Sequence, residues 1–323
     1  MTEAHALVNP ALMESLRGSR FLESACTADT VSMYSIDHCL WAGTTPYCEA
    51  VIAQSPVHGK VLFIDKEIQS AESDERIYHE HLVHPVMAAT SARPGRRVLI
   101  VGGGEGATAR EVLRYSADSV ALVHWVDIDG PLVDLCRRHL YFAEDAVYND
   151  PRLVYFGKDI RTFLSETELE YDVVILDLPD ADVDELVAVS SSAASASSAT
   201  AEAEGIYPLY GHRFFSAVRS CLAEGGAIAS HAGPIAPGGN PVETRAGLSW
   251  IQGIAAEIGI GAGHAYHVGI PSFQGEWGFW MSVPPAATPV FPEALCVMDA
   301  ATQTYAFTWP SYWTSPFVGH AIV

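Results

Sequence analysis

Residues 98–129, VLIVGGGEGATAREVLRYSADSVALVHWVDID, constrain the fold of this chain more than any other stretch. An apolar run ends in Gly102, Gly103 and Gly104, then Glu105 and Gly106. Helix-forming sequence follows, and a second apolar run ends in Asp127, Ile128 and Asp129. The order is strand, glycine turn, helix, strand, acid. Glycines let a backbone turn tightly and approach a ligand closely. An acid roughly 20 residues beyond such a turn can accept hydrogen bonds from a ribose. The stretch therefore points to a nucleoside-containing cofactor.

The alternation continues on both sides. Strands are predicted at 98–101, 121–127, 153–156, 173–177 and 227–231, with later ones at 265–268 and 278–283. Helices are predicted at 73–87, 107–115, 131–140, 160–165, 213–222 and 241–258, with Ser73 as the cap of the first. Such alternation implies an α/β fold with a mostly parallel, doubly wound sheet covered on both faces. Ligands of these sheets lie beyond the carboxyl ends of the strands. Glu105, Asp127, Asp159 and Asp177 all fall just past a predicted strand end or in the turn after it. Four acids on one rim are hard to explain by structure alone.

Five regions follow. Residues 1–30 read as a loose lead-in and 31–72 as a small β-hairpin domain. Residues 73–283 read as the Rossmann-like domain, interrupted at 181–206 by a low-complexity Ala/Ser insertion. Residues 284–323 form a tail rich in proline and aromatics, among them Phe307, Trp309, Tyr312, Trp313 and Phe317.

Lys and Arg total 18 against 39 Asp and Glu, a net charge of -21 over 323 residues. That balance disfavours nucleic acid and anionic membranes and favours cationic small molecules. The six cysteines show no CxxC spacing, so no zinc site or redox dithiol is indicated. No secretory leader or membrane span is expected, which suggests a cytoplasmic protein.

Taken together, VLFIDKEIQSAESDERIYHEHLVHP, GGGEGATAREVL, VDIDGPLVDLCRRHL, LDLPD and PSFQGEWGF resemble the polyamine aminopropyltransferases, the spermidine and spermine synthase family. GGGEG, the CRR of Cys136–Arg138, HLVHP and the PSF…WG segment lean towards its thermospermine synthase branch. The resemblance implies a methyltransferase-like Rossmann domain behind a β-hairpin domain. It also implies transfer of an aminopropyl group from decarboxylated S-adenosylmethionine to a polyamine, releasing methylthioadenosine, without a metal, in a homo-oligomer such as a dimer or tetramer.

Residue roles follow from the same resemblance. Asp177 is the base or ammonium anchor, helped by Asp180 and Tyr78. Gln69, Gly102, Gly103, Gly104, Glu105, Gly106, Asp127, Ile128, Asp159 and Ile160 hold the cofactor, with Glu105 on its aminopropyl ammonium. Asp74, Tyr78, Asp180, Phe273 and Trp277 line the amine site. Asp159 equally suits the N-cap of the next helix. Tyr78, Phe273 and Trp277 equally suit a core. His79, Glu80 and His84 look like packing and hydrogen-bonding residues, since HEHLVH lacks the HExxH metal spacing.

The chain departs from the family in three places. Tyr47-Cys48 stands where Tyr-Gln is usual, and the loop reads Asp177-Leu178-Pro179-Asp180-Ala181 instead of D-x-x-D-P. Asp182, Asp184 and Glu185 follow it. These changes admit a rival enzyme that uses intact S-adenosylmethionine, for aminocarboxypropyl transfer or cyclisation to a small-ring amino acid. That rival needs a base such as Lys158 or Arg110 near Glu105. A non-catalytic polyamine-binding homologue is a third reading.

Overall fold

The computed structural model describes residues 6–16, 21–27, 30–180, 208–235, 246–260, 263–283 and 295–310. The N-terminal part contains β1 (Leu7–Val8), α1 (Pro10–Leu16), β2 (Phe21–Thr27), β3 (Thr30–Ser35), β4 (His38–Thr44), β5 (Glu49–Ser55), β6 (Gly59–Ile64) and β7 (Glu67–Ala71). Five of these strands form an antiparallel sheet, β1-β4-β5-β6-β7, while β2 and β3 pair separately.

The expected antiparallel N-terminal domain is present, and its sheet extends beyond one hairpin to five strands. One expectation is corrected: much of the segment read as a loose lead-in is regular. The physical reasons are local. A register shift between Cys39 and Trp41 interrupts the period of two in β4. Strand β1 is only two residues long, too short to leave a pattern. Strands β6 and β7 join through Asp65 and Lys66, both at positive φ (49° and 72°), as a two-residue type I′ turn requires.

Helix α2 (Glu75–Ala89) links this sheet to the larger one. Asp74, not Ser73, occupies its N-cap, and the Asp74 carboxylate makes no capping bond. It accepts instead from the Ser272 backbone N–H (2.7 Å) and hydroxyl (2.9 Å). Asp74 is buried, and Ser272 offers it two donors.

The second sheet comprises β8 (Arg96–Gly102), β9 (Val120–Asp127), β10 (Leu153–Gly157), β11 (Tyr171–Asp177), β12 (Leu222–Pro234), β13 (His264–Ile270) and β14 (Gly275–Ser282). Their order is β10-β9-β8-β11-β12-β14-β13, and only β14 runs antiparallel to its neighbours. The helices are α3 (Ala107–Leu113), α4 (Gly130–His139), α5 (Asp145–Tyr148), α6 (Ile160–Glu166), α7 (His212–Ser220), α8 (Ala246–Glu257) and α9 (Ala300–Ala306).

Alternate side chains of the central strands feed two cores, as a sheet covered on both faces demands. Val98, Ile100, Val173 and Ile175 pack with Leu82 and Val86 of α2 and Val112 of α3. Leu99, Val101, Val174 and Leu176 pack with Phe163 of α6, Phe214 of α7 and Ile251 of α8. A third cluster joins the two sheets: Trp41, Ile52 and Leu62 meet Ala107, Leu132 and Leu135. That cluster seats the N-terminal sheet beside the first turns of α3 and α4, at the glycine-turn end of the parallel strands.

Part of the tail packs on the domain. The buried Glu80 carboxylate accepts from the backbone N–H groups of Cys296, Val297 and Met298 at 2.8, 2.9 and 3.0 Å. The insertion at 181–206, the predicted helix start at 241–245 and Tyr312, Trp313 and Phe317 lie outside the described residues. No helix among the described residues is long and apolar enough to cross a membrane.

Candidate active site

The parallel register lines up the strand ends of β10, β9, β8 and β11, so Asp159, Asp127, Glu105 and Asp177 follow one another along a single rim. The glycine turn closes directly on Asp177. The Gly103 N–H donates to the Asp177 carbonyl at 2.8 Å. Gly102 has φ +80°, and a Cβ there would lie 2.1 Å from the same carbonyl oxygen. Gly102→Ala combines a strained dihedral with a backbone clash and should cost about 3 kcal/mol or more. A denaturation midpoint equal to wild type would overturn that expectation.

Asp177 is the best-supported acid of the rim. Its Oδ1 accepts from the Tyr78 hydroxyl (2.8 Å) and its Oδ2 from the Thr108 hydroxyl (2.5 Å). Burial, with the nearby Glu105 charge, pushes its carboxyl above the ordinary range. Burial and the Asp177 charge likewise push the Tyr78 phenol well up, so it stays a donor. Phe273 and Phe279 pack around the Tyr78 ring at 6.2 and 5.5 Å. Phe273 and Trp277 lie 4.6 Å apart. Asp74 touches neither acid; through Ser272 it fixes the short helical turn Pro271–Phe273 that carries Phe273.

Glu105 faces His79. The imidazole Nε2 lies 3.4 Å from Glu105 Oε1, and Nδ1 contacts the Glu75 carbonyl (2.6 Å) and carboxylate (3.1 Å). Burial opposes a charge on His79, but the two carboxylates outweigh it and push its pKa up to about 10. Burial would raise Glu105, yet His79 holds it below the usual range. An ionised carboxylate therefore sits beside the glycine turn at neutral pH.

Arg110 and the histidines belong to a buried network behind this pair. Arg110 grips Glu75 through two bonds (2.9 and 2.8 Å) and reaches Glu111 at 2.8 Å. Glu111 also receives His84 (2.9 Å) and Arg114 (2.8 Å). Lys158 pairs with Glu166 at 2.7 Å. Both bases that the intact-cofactor rival required are thus engaged elsewhere. Among the described residues no group of three His, Cys, Asp or Glu side chains could hold a metal ion.

At the end of β9, Asp127 Oδ1 accepts from the Asp129 N–H at 2.8 Å. Burial, helped by the Asp129 and Glu105 charges, pushes Asp127 up to about 6. Asp127 Oδ2 would lie 3.4 Å from a Cβ at Gly104, so that glycine keeps the space beside the carboxylate open. Ile128 is 38 % exposed, an apolar surface beside that acid. Asp159 caps α6, accepting from the Arg161 N–H at 2.7 Å and pairing with its guanidinium at 2.5 Å. Ile160 is buried in the core. Gln69 is half-buried on β7. The Cys48 thiol points at Asp129 Oδ2 (3.5 Å), which also accepts from Thr45 (2.5 Å). Burial pushes this thiol up to about 12, so it stays protonated.

The sequence reading missed Thr108 and His231. Thr108 stands in the first turn of α3, directly after the glycines. His231 lies in β12, which pairs with β11. Its Nε2 donates to the Leu178 carbonyl, its Nδ1 lies 3.4 Å from Asp180 Oδ1, and its ring stacks on Trp277. A polar residue at the end of an apolar parallel strand was the available signal.

Residues 75–287 match the family model described as spermine/spermidine synthase domain. Polyamine aminopropyltransferase 2 of Pseudomonas aeruginosa is 33% identical over 250 residues, covering 77% of this chain and 63% of that protein. A polyamine aminopropyltransferase of Synechococcus sp. is 35% identical over 250 residues, covering 77% and 70%. The chain thus spans less than two thirds of the length of the Pseudomonas relative. Spermidine synthase from Thermotoga maritima superposes with a TM-score of 0.70 at 19% identity, over 92% of this chain and 93% of that one. A spermidine synthase in complex with the transition state analogue AdoDATO gives 0.73 at 20%, over 92% and 94%. The chain belongs to the spermine/spermidine synthase family.

Proposed function

We propose that this chain transfers the aminopropyl group of decarboxylated S-adenosylmethionine to a polyamine and releases methylthioadenosine. The observation that carries the reading is the placement of two partly buried carboxylates, Asp177 and Glu105, at one glycine turn. Asp177 is held by the Tyr78 and Thr108 hydroxyls and Glu105 faces the His79 imidazole. The reaction needs two ammonium groups placed separately, one on the donor substrate and one on the acceptor.

The residues present suit the donor. Asp127 lies beside the glycine turn, where it can accept from ribose hydroxyls. Exposed Ile128 offers an apolar face to a base. Asp159 carries an acceptor at the same rim, although its present partner is Arg161. Glu105, kept ionised by His79, suits a terminal ammonium and repels a carboxylate. When bound, the donor supplies an electrophilic CH2 beside a sulfonium and a thioether leaving group.

On the acceptor side, Asp177 anchors an ammonium while Tyr78 and Thr108 fix both its oxygens. Asp180, at the mouth, holds a further cationic group. Phe273 and Trp277 form an apolar wall for the methylenes. No part of this arrangement calls for a metal. A polyamine is the partner molecule this site suits. By the resemblance, the enzyme works as a homo-oligomer.

The deciding test is methylthioadenosine release measured by mass spectrometry. The purified protein is given intact or decarboxylated S-adenosylmethionine, each with and without putrescine, spermidine and spermine. Amine-dependent release from the decarboxylated donor alone is expected. Release from the intact compound without any amine would overturn the proposal in favour of cyclisation or lyase chemistry.

A further inference from the structure

We infer that Tyr34 and Asp74 are positioning residues that lock the turn carrying Phe273 and so set which polyamine the site accepts; this deepens the transfer reaction proposed above and rests on it. The turn Pro271–Phe273 joins β13 to β14. It places Phe273 beside Trp277, 4.6 Å between centroids, and against the Tyr78 ring at 6.2 Å. Tyr78 in turn donates to Asp177 at 2.8 Å. A shift of the turn therefore moves the apolar wall relative to the acid that receives the acceptor.

Ser272, in the middle of the turn, has each of its polar groups bonded to a distant part of the chain. Its N–H and hydroxyl donate to the Asp74 carboxylate at 2.7 and 2.9 Å. Its carbonyl accepts from the Tyr34 hydroxyl at 2.6 Å. All three residues are buried. Gln274, which ends the turn, has φ 57° and lies in the left-handed region. A residue other than glycine keeps that conformation where its surroundings over-determine it. The Ser32 hydroxyl supplies one such constraint, donating to Gln274 Oε1 at 2.9 Å. Ser32 and Tyr34 stand two residues apart on β3, so one face of that strand delivers both contacts.

The chemistry of the acceptor says what such a clamp is for. Polyamines differ from one another in the number and spacing of their amines, so a site tells them apart by the length of apolar wall between its cationic contacts. A wall fixed before binding discriminates by methylene count, whereas one that yields adapts to each chain. The turn's own backbone supplies little rigidity, through the Gln274 N–H to Pro271 carbonyl bond at 3.1 Å. The rigidity comes from α2, whose N-cap is Asp74, and from β3, whose ladder partner is β2. The donor-side acids are carried by other elements: Asp127 ends β9 and Glu105 lies in the glycine turn. The clamp thus bears on the acceptor and leaves the nucleoside contacts alone.

The test compares wild type with Tyr34→Phe, Asp74→Ala and Asp74→Asn in the full chain. Tyr34→Phe keeps the ring and leaves the buried Ser272 carbonyl without its donor. Asp74→Ala removes both acceptors. Asp74→Asn restores both bonds, because its amide oxygen accepts from the Ser272 N–H and its amide N–H donates to the Ser272 hydroxyl oxygen. Turnover is measured with putrescine, spermidine and spermine at saturating decarboxylated S-adenosylmethionine, and methylthioadenosine binding by calorimetry. Tyr34→Phe and Asp74→Ala should raise acceptor KM by about 10-fold, the effect of an unsatisfied buried group. They should also narrow the kcat/KM ratio between the best and the second acceptor by about 10-fold, the discrimination carried by one methylene. Asp74→Asn should stay within about 3-fold of wild type in both, and the Kd for methylthioadenosine within about 3-fold in all three. A role in folding alone would lower Tm and leave the acceptor ratio as it is. A folded Tyr34→Phe with the wild-type ratio would overturn the clamp. A loss in Asp74→Asn as large as in Asp74→Ala would overturn the part given to Asp74. No amine-dependent turnover by wild type would overturn the clamp's role and the transfer reaction together.

Discussion

Asp177→Asn is expected to lower kcat/KM for the amine by about 10²–10⁴-fold while the protein stays folded. The size follows from truncating one partner of a buried ammonium–carboxylate pair, about 2–5 kcal/mol, with loss of any help in proton removal. Asparagine has nearly the same shape, and the Tyr78 and Thr108 hydroxyls can rotate to suit an amide. Stability should move the other way. Burial raises the Asp177 carboxyl, so its ionisation opposes folding, and that cost appears as pH rises through the raised folded value. The variant should therefore melt at or above the wild-type temperature near neutral pH, and the difference should vanish in acid. Nucleoside binding, measured by calorimetry with the product methylthioadenosine, should be nearly unchanged because Asp127 and Ile128 are untouched. A variant that keeps more than about a tenth of wild-type kcat/KM would remove Asp177 from the mechanism.

The parts of this site that the sequence displays share one physical cause. Parallel strands buried on both faces are continuous apolar runs, so an acid at their end stands out, as Asp127 and Asp177 do. The glycine turn is legible because no other residue tolerates φ +80° with a backbone carbonyl 2.1 Å from its Cβ position. Contacts made across the fold leave no such mark. Asp74 looks like a helix-entry acid, yet its partner Ser272 is 198 residues away. His231 becomes part of the site only because β12 pairs with β11. In the N-terminal sheet the irregularity at Cys39–Trp41 erases the alternation that would have announced β4. Cys48 stands where the family usually has glutamine, and the structure turns its thiol to Asp129.

Glu105→Gln should weaken the preference for the decarboxylated donor over intact S-adenosylmethionine by about 10²–10³-fold. Two charges about 4–5 Å apart at an effective dielectric near 20 interact by about 3–4 kcal/mol, which sets that range. The donor ammonium loses an attraction and the carboxylate of the intact compound loses a repulsion. His79 strengthens the reversal. It keeps its contacts to the Glu75 carbonyl and carboxylate, so it remains a cation facing the vacated charge. The ratio of dissociation constants for the two compounds, measured by calorimetry without amine, isolates the effect from chemistry. A ratio within about 3-fold of wild type would mean that Glu105 does not read the donor tail. The pair also predicts the pH course of the accompanying stability loss. Glu105 is held below its unfolded value, so its contribution is present above the ordinary glutamate range, about 4.3, and fades in acid. His79 is raised to about 10, so its contribution is full below the ordinary imidazole value of about 6.5 and is lost as pH climbs through the raised one. The melting difference between wild type and Glu105→Gln should thus be widest between about pH 5 and 6.5 and shrink towards pH 10. A difference that grew with alkalinity would show that His79 is not the cation holding Glu105.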